Sequence, residues 1–229
     1  MTISKNIGKL EKEIGQICTA SGRKPSEVRL VAISKTKPVE MIREAFKAGI
    51  RDFGENYINE VMEKAEFLKD IDIKWHFVGS VQTNKVKYLT RFCSLLHSMD
   101  RIELAEALQK RLEFEDKTME VLIQVNTSGE ATKSGMAPHL TVDFARHISA
   151  FDRIKVKGLM TIAENSGGEV EIRKNFRDLK RLYEEIKVLD IPGFEMEHLS
   201  MGMSGDYKIA VEEGATILRI GSSIFGKRS

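Results

Sequence analysis

The chain has little of several things that would narrow its class. Of its 229 residues only two are cysteine, four proline and one tryptophan, and aromatics make up 7%. Two cysteines, Cys18 and Cys93, with no CxxC pair between them, leave neither a disulfide framework nor a thiolate zinc site to build on. No apolar run approaches the roughly 20 residues of a membrane-spanning helix, and the N-terminus lacks the apolar stretch of a signal peptide. The 36 basic and 34 acidic residues nearly cancel to +2 and form no long block of one sign, so nothing calls for a nucleic-acid partner. These absences lead to the expectation of a reduced, cytoplasmic, soluble protein.

What is present is alternation. Ile7, Leu10, Ile14, Ile17 and Cys18 share one stripe of a helix expected over residues 4 to 20, with Ser4 able to cap it. Eight short β-rich runs follow: Leu30 to Ser34, Asp52 to Glu55, Trp75 to Gly79, Ser94 to His97, Val121 to Val125, Val156 to Met160, Glu197 to Ser200 and Ile217 to Ile220. Helical patterns separate them, clearest at Arg101 to Glu115 and Ile172 to Leu189. Strands joined through helices pair in parallel, and eight of them can close into a (β/α)8 TIM-like barrel. A doubly wound open sheet satisfies the same order. Nine residues after Ile220 are too few for a full closing helix, but the additional N-terminal helix can fill that place, which favours closure. With no linker or low-complexity stretch, one domain over residues 1–229 is expected.

In a barrel the loops at the C-terminal strand ends share one face, so Lys35, Glu55, Asn56, His76, Ser200 and Arg219 are expected to converge there. A lysine amine in that place can attack an aldehyde. The last two loops, Leu199 to Asp206 and Leu218 to Gly226, carry glycine and serine where a strand meets a helix start, and backbone N–H groups with hydroxyls suit an anion there. Taken singly, each loop is as well explained by ordinary turns and caps.

The segments Ala32-Ile33-Ser34-Lys35-Thr36-Lys37-Pro38, Phe53-Gly54-Glu55-Asn56-Tyr57 and Trp75-His76-Phe77-Val78-Gly79-Ser80-Val81-Gln82-Thr83-Asn84-Lys85 occur in order with those two loops. Together they resemble the pyridoxal phosphate homeostasis protein family, which is similar in fold to the N-terminal barrel of alanine racemase. The resemblance implies pyridoxal 5'-phosphate (PLP) as cofactor, bound as an aldimine on Lys35. It puts the phosphate near Ser200, Met201, Gly202 and Ser204 in one loop and near Gly221 and Ser222 in the other, with Arg219 beside the pyridine ring. Ser222 stands where many members carry threonine, which keeps the hydroxyl, and Val81 replaces a more usual leucine. Asn56 and His76 sit where contact with the ring or its ligands is expected, although either residue can equally satisfy backbone groups.

An aldimine forms through the neutral amine, and a lysine of pKa about 10.4 is neutral at pH 7 only about once in 2,500. The site is therefore expected to depress it, through partial burial and a cation such as Arg219. An arginine donates without giving up its proton, so the pyridine nitrogen stays a weak electron sink. The expected role is a monomeric PLP-binding protein of vitamin B6 homeostasis without turnover of its own, whose partners are PLP and, beyond it, PLP-dependent client enzymes or amino acids. The sequence as given leaves no room for the second domain a racemase uses. A PLP-dependent amino-acid racemase or related lyase is the alternative. A metal-dependent hydrolase is suggested only by His76, His97 and His198 and lacks a first-strand HxH pair. Lys37, Lys85 and Lys133 are further amines expected near the mouth, the last within the polar segment Asn126 to Gly135.

Overall fold

The computed structural model describes residues 2–130, 134–163 and 168–226. Helix α1 (Ile3–Ala20) comes first and is capped by Thr2, whose hydroxyl accepts from the Lys5 amide, rather than by Ser4. The reason is that Ile3 is itself buried and starts the stripe Ile3, Ile7, Leu10, Ile14 and Cys18, so the cap has to precede it.

Eight parallel strands then close in sequence order: β1 (Arg29–Ile33), β2 (Asp52–Glu55), β3 (Lys74–Phe77), β4 (Cys93–Met99), β5 (Met119–Gln124), β6 (Ile154–Met160), β7 (Phe194–Ser200) and β8 (Ile217–Ile220). Pairing of Arg29 with Ile217 through Ala32 with Ile220 joins β1 to β8, which rules out the open sheet. The crossovers run through α2 (Val39–Lys47), α3 (Ile58–Phe67), α4 (Val86–Leu89), α5 (Ile102–Glu115), α6 (Thr141–Ile148), α7 (Gly168–Val188) and α8 (Tyr207–Glu212), with α9 (Ser222–Phe225) after the last strand. All eight expected runs are strands of the barrel.

Strand residues alternate between two cores. Val31, Leu95, Leu122, Met160 and Ile217 pack together with Ile33 and Ile162 inside the barrel. The other faces, with Ala32, Phe53, Phe77, Leu96, Val121 and Leu218 among them, pack against the helices. Because α9 is a single turn, α1 takes the place of a closing helix and lies against α2, α8 and α9. Asn6 donates from Nδ2 to the Ile224 carbonyl at 2.9 Å, and Tyr207 donates to Glu13 Oε2 at 2.6 Å. Both cysteines are free thiols; burial pushes Cys93 up to about 12. Among the described residues no helix is long and apolar enough to cross a membrane.

Candidate functional site

β1 ends at Ile33, and the chain turns outward over Ser34, Lys35 and Thr36. Thr36 takes φ of 63°, a left-handed conformation that costs a β-branched residue strain. What holds the turn lies beneath it. The Lys64 ammonium donates to the Ser34 carbonyl at 2.7 Å, to Glu55 Oε1 at 2.7 Å and to Glu60 Oε1 at 2.6 Å, which uses its three protons. Glu60 Oε1 also accepts from the Thr36 amide, and Ser34 Oγ donates to Glu55 Oε1 at 2.6 Å. Burial pushes the Glu55 carboxyl up, against the pull of Lys64 and Ser34.

Lys35 lines a cavity of about 400 Å³ together with Ile33, Lys37, Met203, Ser204, Gly205, Arg219, Gly221, Ser222 and Gly226. That volume lies within the range of small-molecule sites, about 300–1,000 Å³. The two glycine-serine loops meet here: the Ser223 amide donates to Ser204 Oγ at 3.2 Å. The loop after β7 is folded back on β8, since the Arg219 amide donates to the Gly202 carbonyl at 3.0 Å and Gly202 has φ of 94°. Within it the Met203 amide donates to Asp206 Oδ1.

Arg219 is almost wholly buried, and its guanidinium donates from Nη1 to Ser200 Oγ and from Nη2 to the Thr161 carbonyl, each at 2.7 Å. Burial draws its pKa down to about 10, with Asp206 opposing. Burial also pushes the Asp206 carboxyl up, and its Oδ2 is buried without a partner.

Of the residues expected in the site, Lys35, Ser204, Arg219, Gly221 and Ser222 line the cavity. Ser200, Met201 and Gly202 are buried and lie outside its lining. His76 is displaced furthest from expectation. Its ring points into the barrel interior, 2.8 Å from His97 Nε2 and 2.9 Å from Asp52 Oδ1. Asn56 directly follows β2 and lies outside the lining, with its Oδ1 buried and unpartnered.

The further amines separate. Lys37 lines the cavity, Lys85 lies 5.5 Å from the Tyr88 ring centroid in the loop after β3, and Lys133 lies outside the described residues. In the segment around it, Asn126 Nδ2 donates to the Glu130 carbonyl, a polar turn. Among the described residues no cluster of three His, Cys, Asp or Glu could hold a metal ion.

Sequence reasoning missed Lys64. A signal for it existed: it occupies the buried stripe Val61, Lys64, Leu68 of the α3 region, where a lysine stands out among apolar neighbours.

Residues 6–229 match the alanine racemase N-terminal domain family. The pyridoxal phosphate homeostasis protein of Aquifex aeolicus is 40% identical over 228 residues, covering 100% of this chain and 99% of that protein. Its counterpart from Pseudomonas aeruginosa is 39% identical over 227 residues, 99% and 96% of the two chains. The structure of PipY from Synechococcus elongatus with PLP bound superposes with a TM-score of 0.86 at 31% identity, covering 98% of this chain and 100% of that one. The chain therefore belongs to the pyridoxal phosphate homeostasis protein family, on the barrel of the alanine racemase N-terminal domain.

Proposed function

We propose that this protein holds PLP in the Lys35 cavity and serves intracellular vitamin B6 homeostasis as a cytoplasmic, monomeric carrier for PLP-dependent client enzymes, without turnover of its own. The observation that carries the reading is one cavity lined by a lysine amine, a buried arginine and two glycine-serine loops. PLP supplies an aldehyde carbon that a lysine amine bonds reversibly. The names of the full-length relatives, and PLP in the PipY structure, support the same cofactor.

The donor set suits it. Ser204 and Ser222 offer hydroxyls and Gly221 an uncovered backbone to a phosphate, while Lys37 and Arg219 add positive charge. Lys35 supplies the amine. Were the pyridine nitrogen to face Arg219, the guanidinium could only donate and would keep its own proton, so it would not provide the protonated ring that strong carbanion chemistry needs. This supports holding over turnover.

Purified protein incubated with PLP is expected to develop a visible absorption band, and borohydride reduction followed by peptide mapping is expected to place the fixed adduct on Lys35. Adduct on a different lysine would sink the site assignment. Racemisation of any amino acid in a panel, at rates comparable to a dedicated racemase, would replace the carrier with the enzyme.

Gly221→Ala separates binding from folding. The atoms nearest a Cβ there are Ile33 O at 3.4 Å, Ile33 Cβ at 3.5 Å and Ile33 Cγ2 at 4.0 Å, with no strained φ, so stability is expected to change by less than about 1 kcal/mol. The methyl group takes phosphate space, and PLP affinity is expected to fall about tenfold, equivalent to about 1.4 kcal/mol. Absorbance titration and thermal melting read the two quantities.

A further inference from the structure

A line of five side chains crosses the barrel interior from the Lys35 cavity to the opposite rim. Arg219 Nη1 donates to Ser200 Oγ at 2.7 Å, and Ser200 Oγ lies 2.9 Å from His97 Nδ1. His97 Nε2 lies 2.8 Å from His76 Nδ1, and His76 Nε2 lies 2.9 Å from Asp52 Oδ1. Ser200, His97, His76 and Arg219 are each 4% exposed or less, so no bulk water substitutes for a missing partner. Asp52, the first residue of β2, stands at the N-terminal rim, facing the charges of Arg29 and Lys74.

The two ends have fixed polarity. A guanidinium can only donate, and an ionised carboxylate can only accept. Burial pushes the Asp52 carboxyl up, but the His76 hydrogen bond and the nearby cations outweigh it and hold it below the usual range. His76 must then carry its proton on Nε2, which leaves Nδ1 to accept. His97 must in turn carry its proton on Nε2, and its Nδ1 accepts from Ser200. Burial first, with the charges of Arg219 and Arg29 adding to it, holds the His97 imidazole well below its usual range and so neutral. With both imidazoles neutral, one arrangement of protons satisfies all four contacts, and such lines polarise cooperatively.

We propose that Asp52, His76, His97 and Ser200 are positioning residues for Arg219: the carboxylate at the far rim sets the direction of every hydrogen bond and commits the Ser200 proton to His97, so that Ser200 only accepts from the arginine. With Ser200 and the Thr161 carbonyl both acting as acceptors, the guanidinium plane is fixed at the cavity. Breaking the polarity at Asp52 allows the reverse arrangement, in which His97 donates to Ser200 and the Ser200 proton turns toward the cavity. The part of this inference that concerns the cofactor rests on the PLP reading above; the tautomers do not.

The test uses Asp52→Asn, whose amide can present either an oxygen or an N–H to His76. Imidazole nitrogen NMR of the ligand-free protein at pH 7 is expected to show His76 and His97 protonated on Nε2 in the wild type, with the protonated position at His97 moving partly or wholly to Nδ1 in the variant. A wild-type His97 protonated on Nδ1 overturns the proposal whether or not the variant folds, and so does a His97 that the variant leaves unchanged. In the PLP-loaded protein the visible band of Asp52→Asn is expected to shift from that of wild type. An unshifted band alongside a changed His97 overturns the link to Arg219. Failure of PLP to bind at Lys35 overturns the functional reading and leaves the tautomer result standing.

Discussion

Lys64→Ala is expected to destabilise the protein by about 3–5 kcal/mol, the usual cost of removing one partner from a buried ion pair. Glu55 is fully buried, its Oε1 accepts from Lys64 and Ser34, and its Oε2 has no partner. Without the ammonium, a carboxylate whose pKa burial has already raised is left uncompensated. The sign of the pH dependence follows. An acid whose folded pKa lies above its unfolded value contributes stability below the unfolded pKa and loses it as pH rises through the folded one. Removing Lys64 raises the folded pKa of Glu55 further, so the gap between variant and wild type is expected to narrow as pH falls toward about 4.3. The double variant Lys64→Met with Glu55→Gln is expected to recover most of the loss, since apolar or neutral replacement of a whole buried pair is often close to neutral. Urea unfolding reads all three proteins, and a loss under about 1 kcal/mol in Lys64→Ala would show that the ion pair does not hold the turn. The same ammonium fixes the Ser34 carbonyl and Glu60, on which Thr36 hangs. The Lys35 adduct is therefore expected to form more slowly in Lys64→Ala, even where the variant is folded.

Gly79→Ala is expected to cost about 1–3 kcal/mol or more by overpacking. A Cβ at Gly79 would sit 2.2 Å from the Asn56 carbonyl oxygen and 2.8 Å from its C and Cα. These are backbone atoms, so no side chain can rotate out of the way. They sit beside the pair in which the Val78 amide donates to the Glu55 carbonyl at 2.9 Å, and the ends of β2 and β3 have to separate. Asn56 moves with them, so PLP retention is expected to fall together with stability. Gly205→Ala is the control: nothing lies within 4 Å of its added Cβ, and its stability is expected to stay within about 0.5 kcal/mol of wild type. Thermal melts that place Gly79→Ala beside Gly205→Ala would refute the close-approach argument.

Much of the barrel is legible in the chain because its signals are local. Strands such as β1, β5 and β8 are short β-branched or apolar runs, and the long helices α1, α5 and α7 show full stripes. The four-residue α4 and α9 and the six-residue α8 are too short to display a period. Bulges such as the register shift between Val156 and Gly158 are equally invisible, being set by the neighbouring strand. At the site, Lys35, Ser204, Arg219, Gly221 and Ser222 were legible because glycine, serine and lone charges at strand ends are unusual there. Ser200 and His76 take partners inside the barrel, a placement the chain does not display because a residue at a strand end can face either the mouth or the interior.

By itself, then, the sequence determined the eight-fold alternation of strand and helix, the helix that closes it, the family, and a lysine at the end of the first strand. All of these follow from residue types and spacings that act over a few positions. Only the tertiary structure decided which groups share an environment. The line from Arg219 through Ser200, His97 and His76 to Asp52 joins residues from five strands, and the Lys64 cluster joins α3 to β2 and the end of β1. Such contacts arise when the barrel closes and removes water, since only then does each buried donor have to find its one remaining acceptor.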